Sequence, residues 1–351
     1  MRLQSLDDRK TLVHQFLESF VLKCSQIKSY RFSVPEISFE HNYCSMTATA
    51  NVTTNSSSGP DWTSGATIYG SNDSYLLLNI FPTDIADGLF SKLRDEITWN
   101  EMRQKGGRVP RDISIQGTLH IENGDEYEPL YRHPADEQPA LISWTPTALM
   151  IKDRIEQVIR QKLNHALIQY YRDGKDFIGE HSDKTLDVLI DSNIVNYSLG
   201  AARTMILKHK VKDGVKQRFK LPHNSLFVLG WRTNREWFHS IRQDNRADRD
   251  KDSDELAFSS QRISLTLRTI ATFLNRCTGK MYGQGARCKT IDESNQEQAD
   301  LNADEQQMLH AFSAENKQSL EFDWNHYYGC GFDALNFKVL NSTFIDQDKN
   351  E

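Results

Sequence analysis

The sequence predicts a mainly β fold with flanking helices, of the sandwich or jelly-roll type, and two observations lead to this prediction. First, the chain between 164 and 275 is a series of short runs with strand-like composition, separated by turn residues such as Asp173-Gly174 and Asp213-Gly214. Second, segments with apolar residues at helical spacing lie outside that series. Many short strands at close spacing are typical of β sandwiches and jelly rolls.

The individual elements follow from local patterns. Apolar residues recur at helical spacing over 11–27 and 147–163, which predicts two helices. A stretch rich in Ser, Thr, Asn and Gly predicts a loop or linker over 51–74, and dense mixed charge predicts an exposed loop over 244–256. The predicted strands are 166–171, 193–200, 203–209, 217–221, 225–230 and 262–268.

These elements predict three parts of the chain. Residues 1–75 form an N-terminal extension with a helix and a linker, and residues 76–275 form the main domain, whose core is about 164–275. Residues 276–351 form a C-terminal extension. We expect this extension to pack on the core, because its segment 322–337 is rich in aromatic residues and glycine.

Composition limits the classes of function. The 351 residues carry a formal net charge of -6, so any contact with nucleic acid must come from a local basic patch. Five cysteines without a CxxC pair fit a reducing compartment. The N-terminus lacks the pattern of a signal peptide, and the apolar run Tyr75–Phe81 is too short to span a bilayer. We therefore expect an intracellular protein, cytoplasmic or nuclear, with no membrane association.

Three residues are candidate metal ligands. His181 and Asp183 are two positions apart next to a strand-like segment, so in an extended chain their side chains point to the same face. His239 lies in a second strand-like region. Two imidazoles and one carboxylate form the facial triad of iron(II) oxygenases, which leaves coordination positions open for a 2-oxo acid and dioxygen. An isolated His-x-Asp is also common by chance, in a solvated loop or an internal hydrogen bond.

The strand-like run 262–268 indicates an anion site. Alternation places Arg262, Ser264, Thr266 and Arg268 on one face of the strand. Guanidinium groups bind carboxylates through two parallel hydrogen bonds, so this face suits a dicarboxylate. The alternative is a solvated strand face.

Several motifs in the same order resemble the AlkB family of oxidative demethylases. The resemblance is dense over about 164–275 and thinner over 93–140. Its strongest segments are the run from Asn164 to Asp183, the strand Ser198-Leu199-Gly200-Ala201-Ala202-Arg203-Thr204, the run Trp237-Phe238-His239-Ser240, and the strand from Arg262 to Arg268. Further upstream, Val109-Pro110-Arg111 and Gln116-Gly117 resemble the family's lid.

The resemblance implies a fold and a set of roles. The fold would be a double-stranded β-helix, with His181, Asp183 and His239 holding iron(II). Arg262 would pair with the distal carboxylate of 2-oxoglutarate. The cosubstrate site would also include Tyr171, Gln169, Arg268 and Ser264. The activity would be oxidative demethylation of alkylated bases in DNA or RNA, with dioxygen consumed and formaldehyde released.

Two positions depart from the family pattern. The family carries an acid that contacts the base two residues after the metal-binding Asp, and Thr185 stands at that position here. Asp187 is a possible substitute if the loop turns it inward. Gln169 stands where the family has an Asn, which keeps the amide one methylene further out.

The basic stretch over 94–111 supplies further substrate candidates. As a lid it would grip phosphates and stack an aromatic side chain on a flipped base; as an ordinary loop it would be solvated, with Trp99 in the core. The same iron chemistry on a small molecule or a protein side chain, and a non-catalytic interaction module, remain the alternative functions. The candidates in this stretch are Trp99, Met102, Arg108 and Arg111.

Overall fold

The computed structural model describes residues 66–104, 107–296 and 304–340, all of which belong to one compact unit, Ser58–Glu351. The helix predicted over 11–27 and most of the linker predicted over 51–74 lie outside the described residues. The predicted bounds of the N-terminal extension stay a prediction, although two strands of the main sheet already form between Thr67 and Leu78.

The strands of the described residues are short and are numbered in chain order. They are β1 (Thr67–Tyr69), β2 (Ser74–Leu78), β3 (Arg103–Gln104), β4 (Gly107–Arg108), β5 (Asp112–Gly117), β6 (His120–Glu122), β7 (Asp125–Pro129), β8 (Glu137–Pro139), β9 (Leu141–Ser143), β10 (His165–Tyr171), β11 (Ile178–His181), β12 (Ile194–Gly200), β13 (Arg203–His209), β14 (Lys216–Leu221), β15 (Ser225–Leu229), β16 (Trp237–Ile241), β17 (Arg262–Arg268), β18 (Thr272–Asn275), β19 (Met281–Gly283) and β20 (Lys338–Leu340).

The α-helices are fewer and lie around the sheets. They are α1 (Thr83–Glu96), α2 (Pro146–Ile159), α3 (Trp231–Glu236), α4 (Ser253–Leu256), α5 (Ile291–Gln296), α6 (Glu305–Gln318) and α7 (Trp324–Tyr328).

Two sheets form a jelly roll. The larger has the strand order β1-β2-β15-β12-β17-β10-β5-β9, and the smaller has the order β11-β16-β13-β14. A hydrophobic cluster that includes Met205, Leu207, Phe227 and Ile241 takes side chains from both sheets and fills part of the space between them. The predicted mainly β fold with flanking helices and a jelly-roll core is confirmed.

Helices α1 and α2 cover the outer face of the large sheet. The buried residues of α1 are Ala86, Leu89, Phe90 and Leu93, a spacing that puts one apolar stripe against the sheet. Helix α2 starts with Pro146, whose missing N–H costs nothing at the first helical position, and ends before Arg160, which has a left-handed φ of 55°. The helix predicted over 147–163 is therefore shorter at its C-terminal end.

The C-terminal residues contribute to the same body. Strand β20 pairs in parallel with β8. A cluster that includes Met308 and Phe312 of α6 also contains Leu186, which lies three residues after the candidate ligand Asp183. At the centre of this contact, Arg132 and Asp187 form a fully buried ion pair, with 2.7 Å between Nη2 and Oδ1. Among the described residues, no helix combines the length and the apolar character needed to cross a lipid bilayer.

Candidate active site

A cavity of about 670 Å³ lies inside the jelly roll. Strands β10, β12 and β17 of the large sheet line one side of it, and β11, β13 and β16 of the small sheet line the other. Most of the site residues that the sequence predicts meet in this space. Those that line it are His181, Asp183, His239, Gln169, Tyr171, Ser264, Arg268, Met102 and Arg111.

The two candidate histidine ligands lie side by side. His181 ends β11 and pairs directly with His239 of β16, and their ring centroids are 4.1 Å apart. Nδ1 of His181 is 2.9 Å from the carbonyl oxygen of Gly179. Because a carbonyl only accepts, Nδ1 carries the proton and Nε2 keeps a lone pair for a metal.

Burial keeps both imidazoles neutral. It lowers the pKa of His239 to about 3, with a further contribution from His181, and it lowers the pKa of His181 as well. Neutral imidazole is the form that binds a metal ion, so neither ring has to lose a proton first near neutral pH.

Asp183 lies just beyond the end of β11, and its side chain is buried. Its Oδ1 accepts hydrogen bonds from Nη2 of Arg268 at 2.6 Å and from the hydroxyl of Tyr131 at 3.0 Å. Asn234 bonds to both the N–H and the carbonyl of the same residue, at 2.9 Å each. Burial raises the pKa of Asp183, but Arg268 and the two imidazoles outweigh this and hold it well below its ordinary value.

The side chains of His181, Asp183 and His239 line one cavity, but they are not arranged as a metal-coordination site. Across the described residues, no group of three or more His, Cys, Asp or Glu side chains is arranged so that it could hold a metal ion. Two atoms that can give a lone pair to a metal ion, Oδ2 of Asp183 and Nδ1 of His239, are buried and have no hydrogen-bond partner among the described residues. The donor set of two imidazoles and a carboxylate suits iron(II), so the residues fit, and their role as ligands stays a prediction.

Arg262 is the most deeply buried cation of the site. It is fully buried, and its Nη2 donates to the hydroxyl of Ser198 at 2.8 Å and to Oδ1 of Asn196 at 3.2 Å. Its Nε and Nη1 have no partner among the described residues. Burial lowers the pKa of Arg262 to about 10. Because a buried guanidinium with unpaired donors is costly, these atoms suit a carboxylate ligand.

Strand register explains how the cosubstrate candidates come together. On neighbouring strands β10 and β17, Gln169 lies opposite Ser264 and Tyr171 opposite Arg262. The guanidinium of Arg262 lies 5.1 Å from the ring centre of Tyr171, whose hydroxyl donates to Oε1 of Gln169 at 2.9 Å. The amide oxygen of Gln169 also accepts from Nε of Arg111 at 2.9 Å, so Gln169 joins the lid to the site.

The substrate candidates of the lid divide into two groups. Met102 and Arg111 are buried and line the cavity. Trp99 does not line it, because its ring packs against Tyr170 at 5.1 Å and joins the cluster under α1. Arg108 is exposed and forms ion pairs with acidic neighbours on its own segment.

Thr185 and Asp187 both lie outside the lining of the cavity, which differs from the sequence expectation. The hydroxyl of Thr185 donates to Oε1 of Glu315 at 2.5 Å. Asp187 is turned away to pair with Arg132. The reason is local: β11 ends at His181, so the alternation of an extended strand does not continue to these positions.

Sequence reasoning missed several residues that support the site. Tyr131 and Asn234 fix Asp183, and Arg132 holds the loop that follows it. None of them lies in a motif, and each is 50 or more residues from its partner in sequence, so local patterns contain no signal for them.

Comparisons with known proteins are consistent with this site. The signature described as the 2OG-Fe(II) oxygenase superfamily matches residues 73–268. The protein named DNA oxidative demethylase ALKBH2 is 35% identical over 105 residues in Bos taurus and 29% identical over 199 residues in Homo sapiens. These matches cover 28% and 53% of this chain, and 38% and 72% of the relatives. Alpha-ketoglutarate-dependent dioxygenase alkB homolog 3 of Rattus norvegicus is 29% identical over 194 residues, covering 53% of this chain and 60% of that protein.

Proposed function

Because this chain belongs to the 2OG-Fe(II) oxygenase superfamily, we propose that it removes N-methyl groups oxidatively from bases of DNA or RNA. The predicted resemblance to the AlkB family is confirmed by the relatives named as a DNA oxidative demethylase and alkB homolog 3. The superfamily uses iron(II), 2-oxoglutarate and dioxygen. The observation that carries the proposal is the buried Arg262, with unpaired donors, packed against Tyr171, which lines the same cavity as the two histidines and Asp183.

The overall reaction divides into two steps. Bound iron and 2-oxoglutarate would supply the oxidising chemistry: dioxygen and the 2-oxo acid give succinate and carbon dioxide, while the methyl group gains one oxygen. The resulting hydroxymethyl group leaves as formaldehyde. Its hydroxyl proton passes to the nitrogen of a neutral base, or to solvent when the base is cationic.

The protein's own residues would bind and orient the cosubstrate and the metal-binding carboxylate. Arg262 would hold the distal carboxylate of 2-oxoglutarate, with Tyr171 packed beside it. Ser264, whose hydroxyl accepts from Asn196 at 2.8 Å, would fix the width of that pocket. Arg268 keeps Asp183 ionised and turned into the site, and it has two further unpaired donors for the cosubstrate.

The cavity mouth supports a nucleic-acid substrate. Gln104 on the β3–β4 hairpin lines the cavity, and the neighbouring Arg103 is exposed. On β14, Lys216 and Arg218 form a second solvated basic strip. With a net charge of -6, such local patches are what a phosphate backbone would contact. An intracellular location is part of this proposal.

A second candidate keeps the iron chemistry and changes the substrate to a small molecule or a protein side chain. It is favoured by Thr185, which places no carboxylate where the family holds a cationic base. The salt dependence of binding separates the two candidates. Affinity for an oligonucleotide falls steeply with salt as counterions are released, whereas affinity for a small neutral molecule does not.

Mass spectrometry tests the proposed function. Methylated DNA and RNA oligonucleotides are incubated with the purified protein, iron(II), 2-oxoglutarate and air, and His181→Ala is the control. We expect loss of one methyl mass with the wild type and none with the variant. Succinate formation without loss of methyl from any strand would refute demethylation of nucleic acid and support the second candidate.

A further inference from the structure

One wall of the active-site cavity comes from outside the residues that match the superfamily. Helix α6 lies beyond the match at 73–268, yet four of its residues line the cavity at the spacing of a single helical face. They are Leu309, Phe312, Ser313 and Asn316.

This face is fastened to the loop that holds Asp183. Nζ of Lys184 donates to the carbonyl of Phe312 at 2.9 Å and to Oδ1 of Asn316 at 2.7 Å. The hydroxyl of Ser182 also donates to Oδ1 of Asn316, at 3.2 Å. Because Oδ1 serves both donors, the N–H groups of the Asn316 amide remain for the cavity that this residue lines.

Glu315 lies on the same helix, and both of its carboxylate oxygens already accept hydrogen bonds. One oxygen of Glu315 accepts from the N–H and the hydroxyl of Thr185, and the other accepts from the hydroxyl of Tyr328 at 2.9 Å. Lys184 lies 3.4 Å from that second oxygen. Glu315 is buried and does not line the cavity, so it offers no negative charge to a substrate.

The carboxylates that line the cavity are also paired with cations. Of the described residues, only Glu180 and Asp183 contribute carboxylates, and these pair with Lys208 at 2.8 Å and with Arg268 at 2.6 Å. Arg111 faces the cavity bonded only to neutral acceptors, the amide of Gln169 and a backbone carbonyl. Among the described residues, the lining of the cavity therefore offers hydrogen-bond donors and cations, and both of its carboxylates are paired with cations.

We propose that the α6 face formed by Leu309, Phe312, Ser313 and Asn316 is the wall that selects the substrate base, and that it selects a neutral N-methylated base with a ring carbonyl. This inference rests on the proposed demethylation. The apolar pair receives the ring of the base, and the amide of Asn316 donates to its carbonyl oxygen. A cationic methylated base would instead meet the guanidinium of Arg111, which has no carboxylate among its hydrogen-bond partners in the described part of the chain.

Two oligonucleotides that differ in one base test this selection. 3-Methylthymine is neutral and has a carbonyl where 3-methylcytosine is cationic and has an amino group, and both have the methyl on the same ring nitrogen. We expect kcat/KM for 3-methylthymine to be at least tenfold higher. In Asn316→Asp, the added carboxylate should move the ratio toward 3-methylcytosine by fivefold or more. The ratio is taken within one variant, so a lower fraction of folded enzyme cancels.

Lys317→Ala is the matched control, since Lys317 is exposed on α6 and does not line the cavity. It should keep the wild-type ratio. Demethylation with a preference for 3-methylcytosine would overturn the selection while leaving the proposed function intact. An unchanged ratio in Asn316→Asp would overturn the role of the wall. Demethylation of neither strand, in single-stranded or duplex DNA or RNA, would overturn both proposals.

Discussion

The buried pair of Arg132 and Asp187 gives a prediction whose size follows from the structure. Arg132 bonds to both carboxylate oxygens of Asp187, at 2.7 Å through Nη2 and 3.1 Å through Nε, and to the carbonyls of Phe332 and Gly285 at 2.6 and 2.8 Å. In Arg132→Met the apolar volume is retained, but Asp187 keeps only the backbone N–H of residue 132, at 2.7 Å. Removing one partner of a fully buried pair costs about 3–5 kcal/mol, because it leaves an uncompensated charge.

Urea unfolding measures this cost as a loss in the free energy of unfolding. Arg276→Met is the matched control. Arg276 is about one-third exposed and pairs with Glu128 at 3.1 Å, so its loss should cost under about 1 kcal/mol. Arg132→Met combined with Asp187→Leu should recover part of the lost stability, since no charge is then left unpaired. A cost for Arg132→Met as small as the control's would refute the reasoning and return Asp187 to the candidates for substrate binding.

Three further predictions concern single residues. Arg262→Met should weaken 2-oxoglutarate binding by about 3 kcal/mol in calorimetric titration, and unchanged affinity would remove Arg262 from the cosubstrate site. Burial lowers the pKa of His133 from 6.5 to about 4, so the unfolded state binds more protons between these values. The urea midpoint should therefore be lower at pH 5 than at pH 7, and this decrease should be smaller in His133→Gln. An equal decrease in the wild type and the variant would contradict this. A Cβ on Gly200, at φ 95°, would lie 2.3 Å from the carbonyl oxygen of Gln261, whereas one on Gly124, at φ 90°, would meet nothing within 4 Å. Gly200→Ala should destabilise by about 2 kcal/mol more than Gly124→Ala in urea unfolding, and equal losses would exclude the clash.

The strands were predictable where side-chain alternation is bounded by turns. Strands β13 and β17 have the predicted bounds, Arg203–His209 and Arg262–Arg268. Both are central to their sheets, so packing on two sides reinforces the local pattern. Helix α2 was predicted too long at its C-terminal end, because the left-handed φ of Arg160 ends it without a Gly or Pro to mark the place.

Site residues that lie on strands could be predicted from the sequence. His181, His239 and the Gln169–Tyr171 pair lie on β11, β16 and β10, where alternation decides which side chains face the interior. Thr185 and Asp187 follow the end of a strand, so their direction depends on the loop and its partners. The burial of Trp99 against Tyr170 likewise depends on how α1 lies on the sheet.

The role of α6 depends on a contact that no local pattern contains. Thr185 and Glu315 are 130 residues apart, and their hydrogen bonds form only when the C-terminal segment packs on the loop after β11. The resemblance to the AlkB family implies only that Thr185 stands where the family has an acid. In the folded chain a carboxylate does lie beside that hydroxyl, but Thr185, Tyr328 and Lys184 surround it, so it fastens the helix instead of facing the substrate. Thr185 and α6 thus belong to one arrangement, in which the hydroxyl binds Glu315 and another face of the helix lines the cavity where we propose that the base binds.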